Sequence, residues 1–166
     1  MDIFHEYIVK REKGGKDILL DILIVLAGLV VAAAGLFLFR AMFFPIALFL
    51  ACWGVYMLIT NRNLEFEYIL TNSSLDIDKI IAKRRRRRMI TVELRNIEAF
   101  GKVGDDAYQR YVREKIMVLD MSSNRSSVEK YYMLVPRPAR RYVVVIEPND
   151  KMLEAIKKFM PRHMLG

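Results

Sequence analysis

Residues Ile22–Phe39, ILIVLAGLVVAAAGLFLF, and Ala41–Thr60, AMFFPIALFLACWGVYMLIT, decide the fold: each is uncharged and overwhelmingly apolar, with only Arg40 between them. Each is close to the ~20 residues that a helix needs to cross a hydrocarbon core of ~30 Å. A buried helix of a soluble domain rarely needs so long an unbroken run. Pro45 sits where a new helix can begin, because its missing N–H costs least in the first turn. These features predict a transmembrane helical hairpin over 18–60, with helices at about 18–39 and 42–60 and a tight reversal at Arg40.

Working outward, Lys10, Arg11, Lys13 and Lys16 precede the first span, Arg62 follows the second, and the reversal has Arg40 alone. Basic residues gather on the cytoplasmic side of membrane helices, so the hairpin is expected in the cell membrane with both termini cytoplasmic. Gly28 with Ala32 and Ala47 with Ala51 repeat small residues at one-turn spacing. This spacing lets helix backbones approach closely, either within one hairpin or in a homo-oligomer. Ala32, Ala33 and Ala34 after a basic n-region also resemble a signal-peptide cleavage site, but removal there would leave a second span starting almost at once. The first 17 residues read as a cytoplasmic juxtamembrane segment, too short for a domain, and Gly14 with Gly15 breaks any helix before the span begins.

The remaining stretch, 61–166, carries 22 Lys and Arg against 14 Asp and Glu, which accounts for the whole chain's net charge of +8. An electrostatic partner of this part should be anionic. Cys52 is the sole cysteine, which excludes an internal disulfide framework and a multi-cysteine zinc site.

After Asn63 the hydrophobic pattern changes to alternation. Leu64, Phe66 and Tyr68 mark a half-buried strand that ends in the turn formers Thr71–Ser74; Leu75 and Ile77 mark a second strand, and Ile90, Val92 and Leu94 a third. A reversal centred on Arg84 and Arg85 would face Leu75 with Leu94 and Ile77 with Val92. Continuing that face outward meets Lys79, Arg86 and Arg88, which cannot be buried unpaired, so the basic end should project as a solvated tip. Further strands are expected at Lys115–Met121, Lys130–Val135 and Tyr142–Ile146, with a short strand or turn at Ile97–Gly101. A C-terminal helix at about 150–160 follows from Met152, Leu153, Ile156, Phe159 and Met160 at helical spacing, stopped by Pro161.

Tyr68-Ile69-Leu70-Thr71-Asn72 leading into Leu75-Asp76-Ile77, then Lys83–Arg88, Ile90-Thr91-Val92 and Asn96-Ile97-Glu98, resembles the bacterial pleckstrin-homology-like (PH-like) domains that follow membrane hairpins. The whole chain is similar to a bacterial two-pass membrane protein family of this layout. The resemblance implies an α+β cytoplasmic domain over 61–166, an antiparallel β-barrel or sandwich capped by the C-terminal helix. It implies no activity and no lipid-binding residues.

The strongest functional feature is the tract Lys83, Arg84, Arg85, Arg86, Arg87 and Arg88. It is a candidate site for an anionic surface, because each basic residue near a charged membrane contributes about 1 kcal/mol. It begins some 23 residues after the second span, within reach of headgroups. The bland alternatives are a solvated tip or a determinant of topology. Nucleic acid is the rival anion, but neither a stacking-aromatic motif nor a recognition helix stands beside the tract.

Arg137, Arg140 and Arg141 form a second basic group, read as flanking an edge strand. Tyr108, Tyr111, Tyr131, Tyr132 and Tyr142 read as core or interface aromatics, and Asp105 with Asp106 as a loop without calcium-loop spacing. His5 and His163 have no metal-site pattern around them, and no serine lies in a nucleophile elbow. The expectation is a membrane-tethered, non-enzymatic binding or scaffold module without cofactor or metal, engaging a protein partner or anionic lipid headgroups. The alternatives are a structural subunit of a larger membrane complex and an enzyme with an unrecognised groove.

Overall fold

The computed structural model describes residues 3–161, with the side chains of 38–42 outside that description. The chain divides into two compact units. One holds the residues up to Glu12, Glu65–Ile80 and those from Arg85 on; the other holds Lys13–Leu64 with Ile81–Arg84.

The second unit is built on the helical segment α1 (Gly15–Thr60), which contains two spans long and apolar enough to cross a membrane, Gly15–Phe37 and Phe43–Thr60. Gly28 packs against Val55, and a Cβ on Gly35 would lie 3.0 Å from Ala47. In a straight helix rising 1.5 Å per residue, residues 28 and 55 would be about 40 Å apart. The chain therefore reverses between Gly35 and Ala47, as a hairpin requires. The expected turn residue, Arg40, lies outside the described side chains. The small residues at Gly28, Gly35 and Ala47 face the opposite span, so they serve packing within one hairpin.

At the open end of the hairpin, Arg62 pairs with Asp17 at 2.7 Å and Asp21 at 2.9 Å, while Lys13 pairs with Asp21 at 2.6 Å. Asp21, which immediately precedes the uncharged run, thus joins the entry of the first span to the exit of the second. The apolar side chains of both spans point outward: Val30, Phe37 and Phe49 are exposed. Such a surface has no protein core to enter.

The first unit contains two four-stranded sheets. The first has the order β1 (Phe4–Lys10), β2 (Leu64–Thr71), β3 (Ser74–Ile81), β4 (Arg85–Glu93). The second has the order β5 (Ala99–Lys102), β7 (Tyr131–Val135), β8 (Tyr142–Ile146), β6 (Met117–Asp120). Helix α2 spans Asp106–Arg113 and helix α3 spans Asp150–Phe159.

Val9, Phe66, Tyr68, Leu75, Ile77 and Val92 of the first sheet share one core with Met133, Val144 and Ile146 of the second and Met152 and Ile156 of α3. On the far side of the second sheet, Tyr132, Leu134, Val143 and Val145 are covered by Ala107, Tyr108 and Tyr111 of α2. Covering on both faces explains why β7 and β8 are near-continuous hydrophobic runs where β2 alternates.

Four features depart from the sequence expectations. Phe4–Lys10, read as part of a juxtamembrane segment, is a strand paired antiparallel with β2, Tyr7 opposite Tyr68 and Val9 opposite Phe66. The β unit is therefore discontinuous in sequence, and an uninterrupted stretch from 61 onward leaves out β1. The all-antiparallel expectation fails at β6, which runs parallel to β8 with Leu119 opposite Val144. Asp105 and Asp106 open a helix instead of a loop: Asp105 Oδ1 accepts the Tyr108 N–H at 2.6 Å and caps α2. The β3–β4 reversal occupies Ala82–Arg84, earlier than the expected centre, with positive φ at Ala82 and Lys83.

Candidate anionic-surface site

All six residues from Lys83 to Arg88 are exposed, with Lys83 and Arg84 in the turn and Arg85–Arg88 on the edge strand β4. The turn itself is held: the Ala82 N–H donates to the Asn63 carbonyl at 2.9 Å, three residues beyond the end of the second span.

The side chains divide. Arg86 Nη2 lies 2.7 Å from Glu67 Oε1, and Arg88 Nη1 lies 2.7 Å from Asp76 Oδ2 while its Nε donates to Asp78 Oδ1. These three carboxylates alternate with the core residues Phe66, Tyr68, Leu75 and Ile77, so they occupy the face of the first sheet turned away from the core. Arg86 and Arg88, predicted to run out along the core face, thus lie on the opposite one. Thr91 reaches the same Asp76 carboxylate, Oγ1 to Oδ1 at 2.6 Å. Arg88 and Thr91 are an odd number of residues apart and a regular strand would put them on opposite faces, so β4 slips by one residue between them. That slip lets Ile90 and Val92 face the core while Arg86 and Arg88 face the carboxylates. By the same alternation Arg85 and Arg87 point the other way, to the face where Lys79 lies. Among the described residues, Lys83, Arg84, Arg85 and Arg87 make no ion pair.

Glu67 is fully buried, and its second oxygen, Oε2, has no hydrogen-bond partner among the described residues. Burial pushes its carboxyl above the ordinary range; the Arg86 guanidinium opposes this, and the neighbouring Glu6 and Asp78 carboxylates add to it. Arg86 is thus the main compensation for a carboxylate that water does not reach.

The other residues singled out in the sequence are occupied by packing. Arg137 Nη2 donates to the Thr91 carbonyl at 2.6 Å, covering part of the β4 edge, and the Arg140 guanidinium lies 5.2 Å from the centre of the Tyr142 ring. Tyr108 and Tyr111 pack on Tyr132 with ring centres 5.5 and 5.9 Å away, and Tyr131 stacks on Phe100. Burial raises the Tyr132 hydroxyl to about 12. His5 lies on β1 opposite Leu70, whereas His163 lies outside the described residues. Among the described residues no three His, Cys, Asp or Glu side chains are grouped to hold a metal ion. In a surface groove of about 360 Å³ lined by Lys102, Arg125, Glu129 and Lys130, Lys102 pairs with Glu129 and Arg125 with Glu12, both at 2.6 Å.

A family model described as Bacterial PH-like domain (DUF6106) matches residues 1–166. The chain belongs to this bacterial PH-like domain family. The match runs through the apolar hairpin as well as the sheets, so both units of this PH-like protein fall within one family layout. Searches of curated proteins and of solved structures give no match.

Proposed function

We propose that this PH-like protein is a membrane-tethered, non-enzymatic binding module: the hairpin anchors it in the cell membrane, both termini are cytoplasmic, and the basic turn and strand engage an anionic partner. The two sheets act as the PH-like barrel that presents this face. The observation that carries the reading is the hydrogen bond from Ala82 to Asn63, which ties the turn bearing Lys83 and Arg84 to the exit of the second span. The outward-facing apolar side chains of both spans support the anchor, and the basic residues around the hairpin's open end support the orientation. The non-enzymatic part is supported by membership of a PH-like family.

Thermal unfolding of the full chain in detergent tests the reading. A ligand that binds only the folded state raises the midpoint by mass action. Phosphatidylglycerol should raise it more than phosphatidylcholine, and replacing Lys83–Arg88 with glutamine should erase the difference. Equal shifts from the two lipids in the unaltered chain would remove anionic lipid as the partner.

A further inference from the structure

The six cations of the tract are equal in sequence and unequal in the fold. Arg86 and Arg88 already hold Glu67, Asp76 and Asp78, so an incoming phosphate would have to displace carboxylates that are themselves wholly or largely buried. Displacement would strand those carboxylates in a site where an unpaired charge is costly. Lys83, Arg84, Arg85 and Arg87 carry no such obligation. They are exposed and lack ion-pair partners among the described residues, so an incoming anion meets four cations whose mutual repulsion it would lower.

The position of the turn indicates which anion. Asn63, which accepts the Ala82 N–H, lies three residues past Thr60, hence within about 10 Å of the helix end even if extended. The pairs of Arg62 with Asp17 and Asp21 mark the level where the hairpin's apolar surface gives way to charge. A headgroup layer extends roughly 5–8 Å beyond each side of the hydrocarbon core. Lys83 and Arg84 thus belong to the compact unit that ends at that layer.

We propose that the anion-binding cations are Lys83, Arg84, Arg85 and Arg87, that their ligand is the anionic lipid headgroup of the leaflet flanking the hairpin's open end, and that Arg86 and Arg88 are withheld by the sheet's own carboxylates. This rests on the proposed membrane tether and specifies its partner and its residues.

Native mass spectrometry of the full chain, released from detergent with phosphatidylglycerol or phosphatidylcholine, separates the outcomes. The unaltered chain should retain phosphatidylglycerol preferentially. K83Q/R84Q/R85Q/R87Q should lose at least about tenfold of that preference. R86Q/R88Q should keep it within about twofold while lowering the unfolding midpoint. If R86Q/R88Q does not fold, E67Q/R86Q removes one pair as a unit and meets the same criterion. Equal losses in the two sets of variants would overturn the division of the tract and leave the lipid reading standing. No preference in the unaltered chain would overturn both. Displacement of the lipid by inorganic phosphate at matched concentration, or tighter binding of an RNA oligonucleotide, would overturn the headgroup assignment.

Discussion

Arg86 and Glu67 form an asymmetric pair: a half-exposed guanidinium on an edge strand lies 2.7 Å from a carboxylate that is fully buried on β2, across the intervening β3. The carboxylate needs the guanidinium more than the reverse, because only the carboxylate has lost its water.

Arg86→Gln should therefore destabilise the chain by about 1–3 kcal/mol, the cost of leaving a buried charged group uncompensated. Adding Glu67→Gln should recover most of that loss. Denaturant unfolding of the full chain in detergent, arranged as a double-mutant cycle, measures the coupling. Additive effects would show that the pair contributes nothing.

The same carboxyl sets a pH dependence. Its pKa is raised in the folded state, so between the ordinary value and the raised one the folded chain binds more protons than the unfolded chain. The contribution from Glu67 is most favourable at acid pH and is lost as pH rises through the raised value. Glu67→Gln should flatten this part of the stability profile. A profile unchanged by the substitution would place the titration elsewhere.

Removing β1 should disrupt the sheet. Val9 and Tyr7 belong to the shared core or pack against it, and the whole strand pairs with β2. A chain beginning at Asn61 should aggregate and lack the near-ultraviolet dichroism of a packed sheet, because a hydrophobic strand edge is newly exposed. A well-folded monomer from 61–166 would contradict the assignment of β1 to the sheet.

Gly28→Leu should splay the hairpin, since even a Cβ at this position runs into the Val55 side chain. Gly15→Ala meets nothing and serves as the control. Disulfide crosslinking between a cysteine introduced at position 29 and the native Cys52, one on each span, should slow in the first variant and not in the second. Both residues line one groove between the spans.

The helical hairpin was legible because two uncharged runs of about 20 residues flank the single charge of Arg40, and β2, β3, β7, β8 and α3 because their periods change at visible turn formers. Strand β1 was hidden by distance: its partner lies across α1, and no local pattern in HEYIVK announces a pairing across so long an insertion. Helix α2 was hidden by its brevity and by the glycines before Asp105, so that Asp105 looked like a loop residue and not a cap. The exposed tract was legible as a whole, but its division was not. Glu67 and Asp78 lie 19 and 10 residues from Arg86 and Arg88, and only sheet pairing and the slip in β4 put them within bonding distance.

The most direct test of the proposed contact between the basic tract and the membrane is quenching of a fluorophore on Met89→Cys, an exposed neighbour of Arg88, in a Cys52→Ser background reconstituted in nanodiscs with headgroup-labelled quencher lipid. If the tract meets anionic headgroups, quenching rises when phosphatidylglycerol replaces phosphatidylcholine and falls again with salt, as charge attraction near a surface must. Quenching that is absent, or that ignores both lipid charge and salt, would contradict a basic tract held at the membrane.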